Sequence, residues 1–175
     1  MHKIYFIAGK SGAGKDTIAR RVSEELGMPI VPIHTTRSPR NSDRETYYHS
    51  DSEILNLPCK ELRGYQHVDS YVYYATTRCD IVDNCDYIAV GPSEMYVNFC
   101  SLFYDRLIVP IVLDVSLENR RKRCNKREQN GDTERRLYMD DKEWLDIFPE
   151  DYYVDGNRPL EEVISDVKDK ILGVK

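Results

Sequence analysis

The sequence predicts an α/β fold in which a central parallel sheet of about five strands carries helices on both faces. Three observations predict it. Lys3 to Ala8 is a short apolar run that stops at Gly9, the pattern of a buried parallel strand. Ile18, Ala19, Val22 and Leu26 then recur at helical spacing, and a second apolar run, Met28 to Ile33, follows Gly27. Strand, glycine-rich turn, helix and strand make a βαβ unit, whose two strands run parallel.

The bulk properties fit one domain of this kind. The chain has 175 residues, 41% hydrophobic and 31% charged, enough for one sizeable core. The formal net charge of −5 argues against a nucleic-acid-binding surface. No run of about 18 apolar residues occurs, so no transmembrane helix is expected. The opening MHKIYFIAGK meets glycine too early for a signal peptide. The cysteines are Cys59, Cys79, Cys85, Cys100 and Cys124, with no CxxC pair. Reduced thiols in a cytoplasmic protein, monomeric or homodimeric, are the expectation.

Past the βαβ unit the pattern loosens. Residues 34–85 are polar and tyrosine-rich, which reads as an inserted subdomain of short strands. A brief helix begins near Ser50, where Ser50 and Glu53 have capping-box spacing. The core, about 1–33, resumes at about 86–172. Asp86 to Val90 reads as a strand, and Gly91-Pro92 opens a helix to about Phe103. LIVPIVLDV (Leu107 to Val115) reads as a central strand that Pro110 weakens or moves toward an edge. Ser116 can cap a helix to about Arg127, the turn EQNGD follows, and a further helix spans about Thr133 to Trp144. Tyr152 to Val154 is a last short strand. Pro159 to Leu172 is an amphipathic helix with Leu160, Val163, Ile164, Val167 and Ile171 on one face.

The most specific signal is Gly9-Lys10-Ser11-Gly12-Ala13-Gly14-Lys15-Asp16-Thr17. Glycines let the chain curl until its amides converge on an anion, and the following helix N-terminus adds favourable partial charge. With the strand before and the helix after, this is a P-loop, and it predicts the three-layer P-loop NTPase fold with bound ATP. Lys15 is the cation for the β- and γ-phosphates. Asp16 stands where a Ser or Thr usually meets Mg²⁺. It can bind Mg²⁺ through oxygen or simply N-cap its helix. Thr17 can donate to the α-phosphate.

Phosphoryl transfer to a phosphate is mostly positioning and charge neutralisation, so converging arginines are what to look for. Thr35-Thr36-Arg37-Ser38-Pro39-Arg40 can fork around one phosphate. Arg120, Arg123 and Arg127 share a helix face, and Arg135-Arg136 follow the turn. Residues 124–136 would form a short lid.

These residues resemble the guanylate kinases, P-loop nucleoside monophosphate kinases, in GKSGAGKDT, in TTRSPR and in Tyr73-Tyr74-Ala75-Thr76; in chain order the likeness runs over about residues 3 to 172 of a single domain. The resemblance implies transfer from ATP, with Mg²⁺, to a nucleoside monophosphate, GMP first. It implies that Arg37 and Arg40 hold the acceptor phosphate with Tyr47 and Tyr74, and that Thr76 sits near the base. Arg123, Arg127 and Arg136 would be lid or transfer arginines, and Asp155-Gly156-Asn157 would lie beside adenine. The acids that read guanine in that family have no clear counterpart. No D-I-D follows Val90, and Asp69 or Glu94 would have to substitute. The second half, with its GKD loop and strand-then-Gly-x-Ser, also resembles ribose 1,5-bisphosphate phosphokinase, the second expectation. A non-catalytic binding domain is the third.

Overall fold

The structure is a computed structural model, described over residues 2–39, 45–66, 71–82, 84–126 and 133–174. Its first sheet has four strands in the order β6-β1-β7-β8. These are β1 (Lys3–Ala8), β6 (Tyr87–Gly91), β7 (Leu107–Asp114) and β8 (Tyr153–Asp155), and every pairing is parallel. β1 lies inside the sheet, so its side chains alternate between two apolar layers. Tyr5 and Ile7 pack with Ile18, Val22, Val163 and Val167. Ile4, Phe6 and Ala8 pack with Met95, Phe99, Phe103 and Phe148. Helices α1 (Lys15–Leu26) and α6 (Leu160–Leu172) therefore cover one face and α3 (Ser93–Leu102) the other.

The fifth parallel strand expected at Met28 to Ile33 shrinks to one bridge, Ile30 to Ile88. Pro29 has no N–H to extend the ladder backward, and beyond Val31 the Ile33 amide goes to Glu45 O instead, so contact is limited to Val31 N–H on Ile88 O and Ile88 N–H on Pro29 O. Pro110 is tolerated in β7 because β8 pairs only with Val112 to Asp114, leaving that side of β7 open at Pro110. α1 begins after Gly14 and ends at Gly27, both left-handed, at φ 92° and 65°. Of the predicted stripe on α6, Val163, Ile164, Val167 and Ile171 are buried, whereas Leu160 is exposed.

The second sheet has the order β3-β2-β5-β4. Its strands are β2 (Ile33–Thr35), β3 (Thr46–Tyr48), β4 (Lys60–Gln66) and β5 (Tyr71–Thr77). The short helix α2 (Asp51–Leu55) starts on a complete Ser50/Glu53 capping box. β4 and β5 form an antiparallel hairpin that sets Arg63 opposite Tyr74 and Glu61 opposite Thr76. Directly opposed residues share a face. Asn98 of α3 donates to Glu61 (3.3 Å) and ties the hairpin to the core. Helices α4 (Leu117–Asn125) and α5 (Thr133–Glu143) complete the fold. The five cysteines are free. Among the described residues no helix is long and apolar enough to cross a membrane.

Candidate active site

β1 delivers the chain to Gly9 at the C-terminal end of the parallel sheet, where the Gly9 amide donates to Gly91 O at the end of β6. The loop then curls over α4. A side chain at Gly12 is impossible on two counts: its φ is +78°, and a Cβ there would lie 2.6 Å from the Arg120 carbonyl oxygen. The curl leads straight into the N-terminus of α1. Gly14 occupies the cap position, so Asp16 is not the N-cap; it lies within the first turn. The Lys15 ammonium donates to Lys10 O at 3.1 Å.

In front of the loop lies a cleft of about 590 Å³. The loop and α1 contribute Gly9, Ser11, Lys15 and Asp16; the β4–β5 hairpin contributes Arg63, Gly64, Tyr71 and Tyr74; α5 contributes Arg135, Arg136, Met139, Asp140 and Glu143. α5 is pinned to the loop by two adjacent acids. Asp140 accepts from the Ser11 amide. Asp141 accepts from Lys10 (2.7 Å) and from Arg120 (2.9 Å), itself buried behind the loop. Burial pushes the Asp141 carboxyl up, but the Lys10 hydrogen bond and the Arg120 charge outweigh it and hold it below the usual carboxylate range. Glu143 is raised by burial and by the charges of Glu94 and Asp140.

The sequence-predicted residues divide. Gly9, Ser11, Lys15, Asp16, Tyr74 and Arg136 meet in the cleft lining. Gly12, Ala13 and Gly14 shape the loop behind it, and Thr17 is in the first turn of α1. Arg37 is outside the lining; its Nη1 donates to Ser38 O at 2.9 Å. Tyr47 is also outside it, half exposed beside the His34 ring. Thr76 is fully buried on the hairpin, and its Oγ1 has no hydrogen-bond partner among the described residues. Arg40, Arg127, Asp69 and the turn 128–132 lie outside the described residues.

Arg123 is a clasp in this structure. Its Nη1 donates to Ala13 O (3.2 Å) and its Nη2 to Gly156 O (2.9 Å), joining the loop to the turn after β8. In that turn Asp155 accepts from the Asn157 amide, and Asn157 in turn accepts from the Ser116 amide. Both side chains thus build the turn, outside the cleft lining.

Sequence reasoning missed Arg63, Tyr71, Asp140 and Glu143. The alternation Glu61, Arg63 on a short strand was the available signal for Arg63. For Asp140, the signal was an acid one helical turn beyond Arg136 on the same face.

No family model matches the chain. A curated relative, the guanylate kinase of Fusobacterium nucleatum subsp. nucleatum, is 32% identical over 82 residues, covering 45% of this chain. The match spans only 44% of that relative's length. Among solved structures, guanylate kinase from Anaplasma phagocytophilum superposes with a TM-score of 0.69 at 16% identity, over 98% of this chain and 85% of that one. The fold is that of a P-loop NTPase. A gluconokinase from Sinorhizobium meliloti 1021 shares it at TM-score 0.60 and 12% identity, over 98% and 93% of the two chains. A sugar kinase from Janibacter sp. HTCC2649 does so at 0.56 and 16%, over 99% and 95%. The guanylate kinase likeness thus appears in sequence over part of the chain and in fold over nearly all of it.

Proposed function

We propose that the protein is a phosphotransferase that moves the γ-phosphoryl group of ATP to a nucleoside monophosphate, with GMP giving GDP as the first case. One observation carries the reading: a single cleft joins the phosphate loop and Lys15 to an aromatic, arginine-bearing hairpin, Arg63, Tyr71 and Tyr74. The partial match to a guanylate kinase supports the same substrate class.

In this reading the loop amides and Lys15 hold the β- and γ-phosphates, and residues 34–85 hold the acceptor. The acceptor phosphate is already anionic near neutral pH, so no base has to abstract a proton. Arg135 and Arg136 on α5 lie in the cleft lining to offset charge as the two phosphates approach. Mg²⁺ fits this donor set. Asp16 offers a hard carboxylate oxygen beside Lys15, and a cation that takes few protein ligands completes its shell from phosphates and water. Among the described residues no three His, Cys, Asp or Glu side chains gather to hold a metal by themselves. Asp16 would hold the ion, which when bound would supply positive charge to offset that of the donor phosphates.

The test is a coupled ADP-release assay with ATP·Mg²⁺ and GMP, dGMP, AMP, CMP, UMP or ribose 1,5-bisphosphate. Turnover with a nucleotide that Lys15→Ala removes, with unchanged melting temperature, supports the proposal. Turnover with the bisphosphate alone, or with no acceptor, contradicts it.

A further inference from the structure

Resting on the nucleotide reading, we propose that Arg63 is the residue that selects the acceptor base, by donating to the O6/N7 edge of an oxo-purine. Arg63 lines the cleft from β4, directly across from Tyr74. Its Nε lies 3.0 Å from the carboxylate of Glu61, which is buried and also held by Asn98. Among the described residues Glu61 is the hydrogen-bonded partner of Arg63. Holding the guanidinium at Nε leaves the opposite edge, with its terminal N–H groups, as a fixed fork.

A guanidinium has donors and no acceptor. It cannot serve guanine's N1–H and N2–H₂, but it matches the paired acceptors O6 and N7, the commonest arginine–guanine contact. Two further features favour a flat, neutral edge over a second phosphate. The buried Glu61 already balances the charge of Arg63, and a phosphate dianion at the fork would face that carboxylate within a few ångströms. The wall on the same face is aromatic: Tyr74, directly opposed to Arg63 in the hairpin, also lines the cleft. Opposed residues are close neighbours on one face of a sheet, which puts an aromatic ring next to the fork, suited to contact with a base.

The measurement is kcat/KM for GMP, IMP, 7-deaza-GMP and AMP, with ribose 1,5-bisphosphate alongside. Hypoxanthine keeps both acceptors, so IMP should match GMP within about threefold. 7-Deaza-GMP loses one acceptor, and AMP presents a donor in place of O6; these should fall about tenfold and about 100-fold, the range of one to two lost contacts. Arg63→Gln should reduce the GMP-to-AMP ratio by at least about tenfold. The analogues need no mutant, so the result stands even if the change at Arg63 loosens the hairpin around Glu61. GMP and 7-deaza-GMP turned over equally, or an unaltered GMP-to-AMP ratio in Arg63→Gln, would overturn the role of Arg63 and leave the kinase reading intact. Turnover of the bisphosphate with none of the nucleotides would overturn both.

Discussion

The Asp140 carboxylate accepts a hydrogen bond from the main-chain amide of Ser11 at 2.5 Å. An acid from α5 therefore sits on the loop that a polyphosphate would occupy. In the proposed function ATP would have to displace it, and the two anions would oppose each other. Asp140→Asn keeps the shape and removes the charge. Its KM for ATP should fall by about three- to tenfold, as expected for losing one charge-assisted competitor. Steady-state kinetics at saturating acceptor read this directly, and an increased KM would mean that Asp140 assists binding.

Arg123 joins the loop to the Gly156 turn through main-chain carbonyls. Hydrogen bonds from a charged donor contribute about 1.5–3 kcal/mol each when well made. Arg123→Ala should therefore lower the melting temperature by several degrees and raise KM for ATP more than KM for the acceptor. Differential scanning fluorimetry with kinetics separates the effects. An acceptor-only defect would contradict the clasp.

Thr76 buries a hydroxyl that has no partner among the described residues. An unsatisfied buried hydroxyl costs about 1–3 kcal/mol. Thr76→Val removes that cost at nearly the same volume, so stability in urea should hold or rise. If the hydroxyl is there for the acceptor, KM for the acceptor rises in the same variant while KM for ATP does not. A less stable variant would show that the hydroxyl is satisfied in solution.

Asp141 has a native pKa held below the ordinary carboxylate value, burial opposing and Lys10 with Arg120 prevailing. A lowered native pKa means the charged form favours the fold. The contribution is present above the unfolded-state pKa of about 4 and is lost as pH falls through the lower native value. Asp141→Asn should thus melt earlier than wild type at neutral pH, and the two should converge in acid. Parallel melting curves across that range would contradict it.

What was legible in the chain was local. The strand from Lys3, the glycine curl, Lys15 and the α1 stop at Gly27 are all set by residues within a few positions of one another. The capping box at Ser50 and Glu53 was legible for the same reason. Part of the shortened contact at Ile30 could have been read from Pro29, which removes a ladder donor. For Arg63 the Glu61, Arg63 alternation marks a strand, but its place opposite Tyr74 depends on the β4–β5 register. Helical spacing sets Arg123 on one face with Arg120 and Arg127, and the guanylate kinase resemblance implies a lid or transfer role for it. Its contacts with Ala13 and Gly156 depend on packing between segments far apart in the chain. The same holds for Asp140 and Asp141, whose partners Ser11 and Lys10 lie at the opposite end of the sequence.

In the proposed function one cleft holds a polyphosphate and a second phosphorylated molecule face to face. The direct measurement is calorimetric binding of a bisubstrate analogue, adenosine and guanosine joined through five phosphates, compared with ATP and GMP separately. Occupying both subsites at once should tighten binding over ATP by at least about 100-fold, and Lys15→Ala should remove the gain. An analogue that binds no more tightly than ATP would contradict the claim.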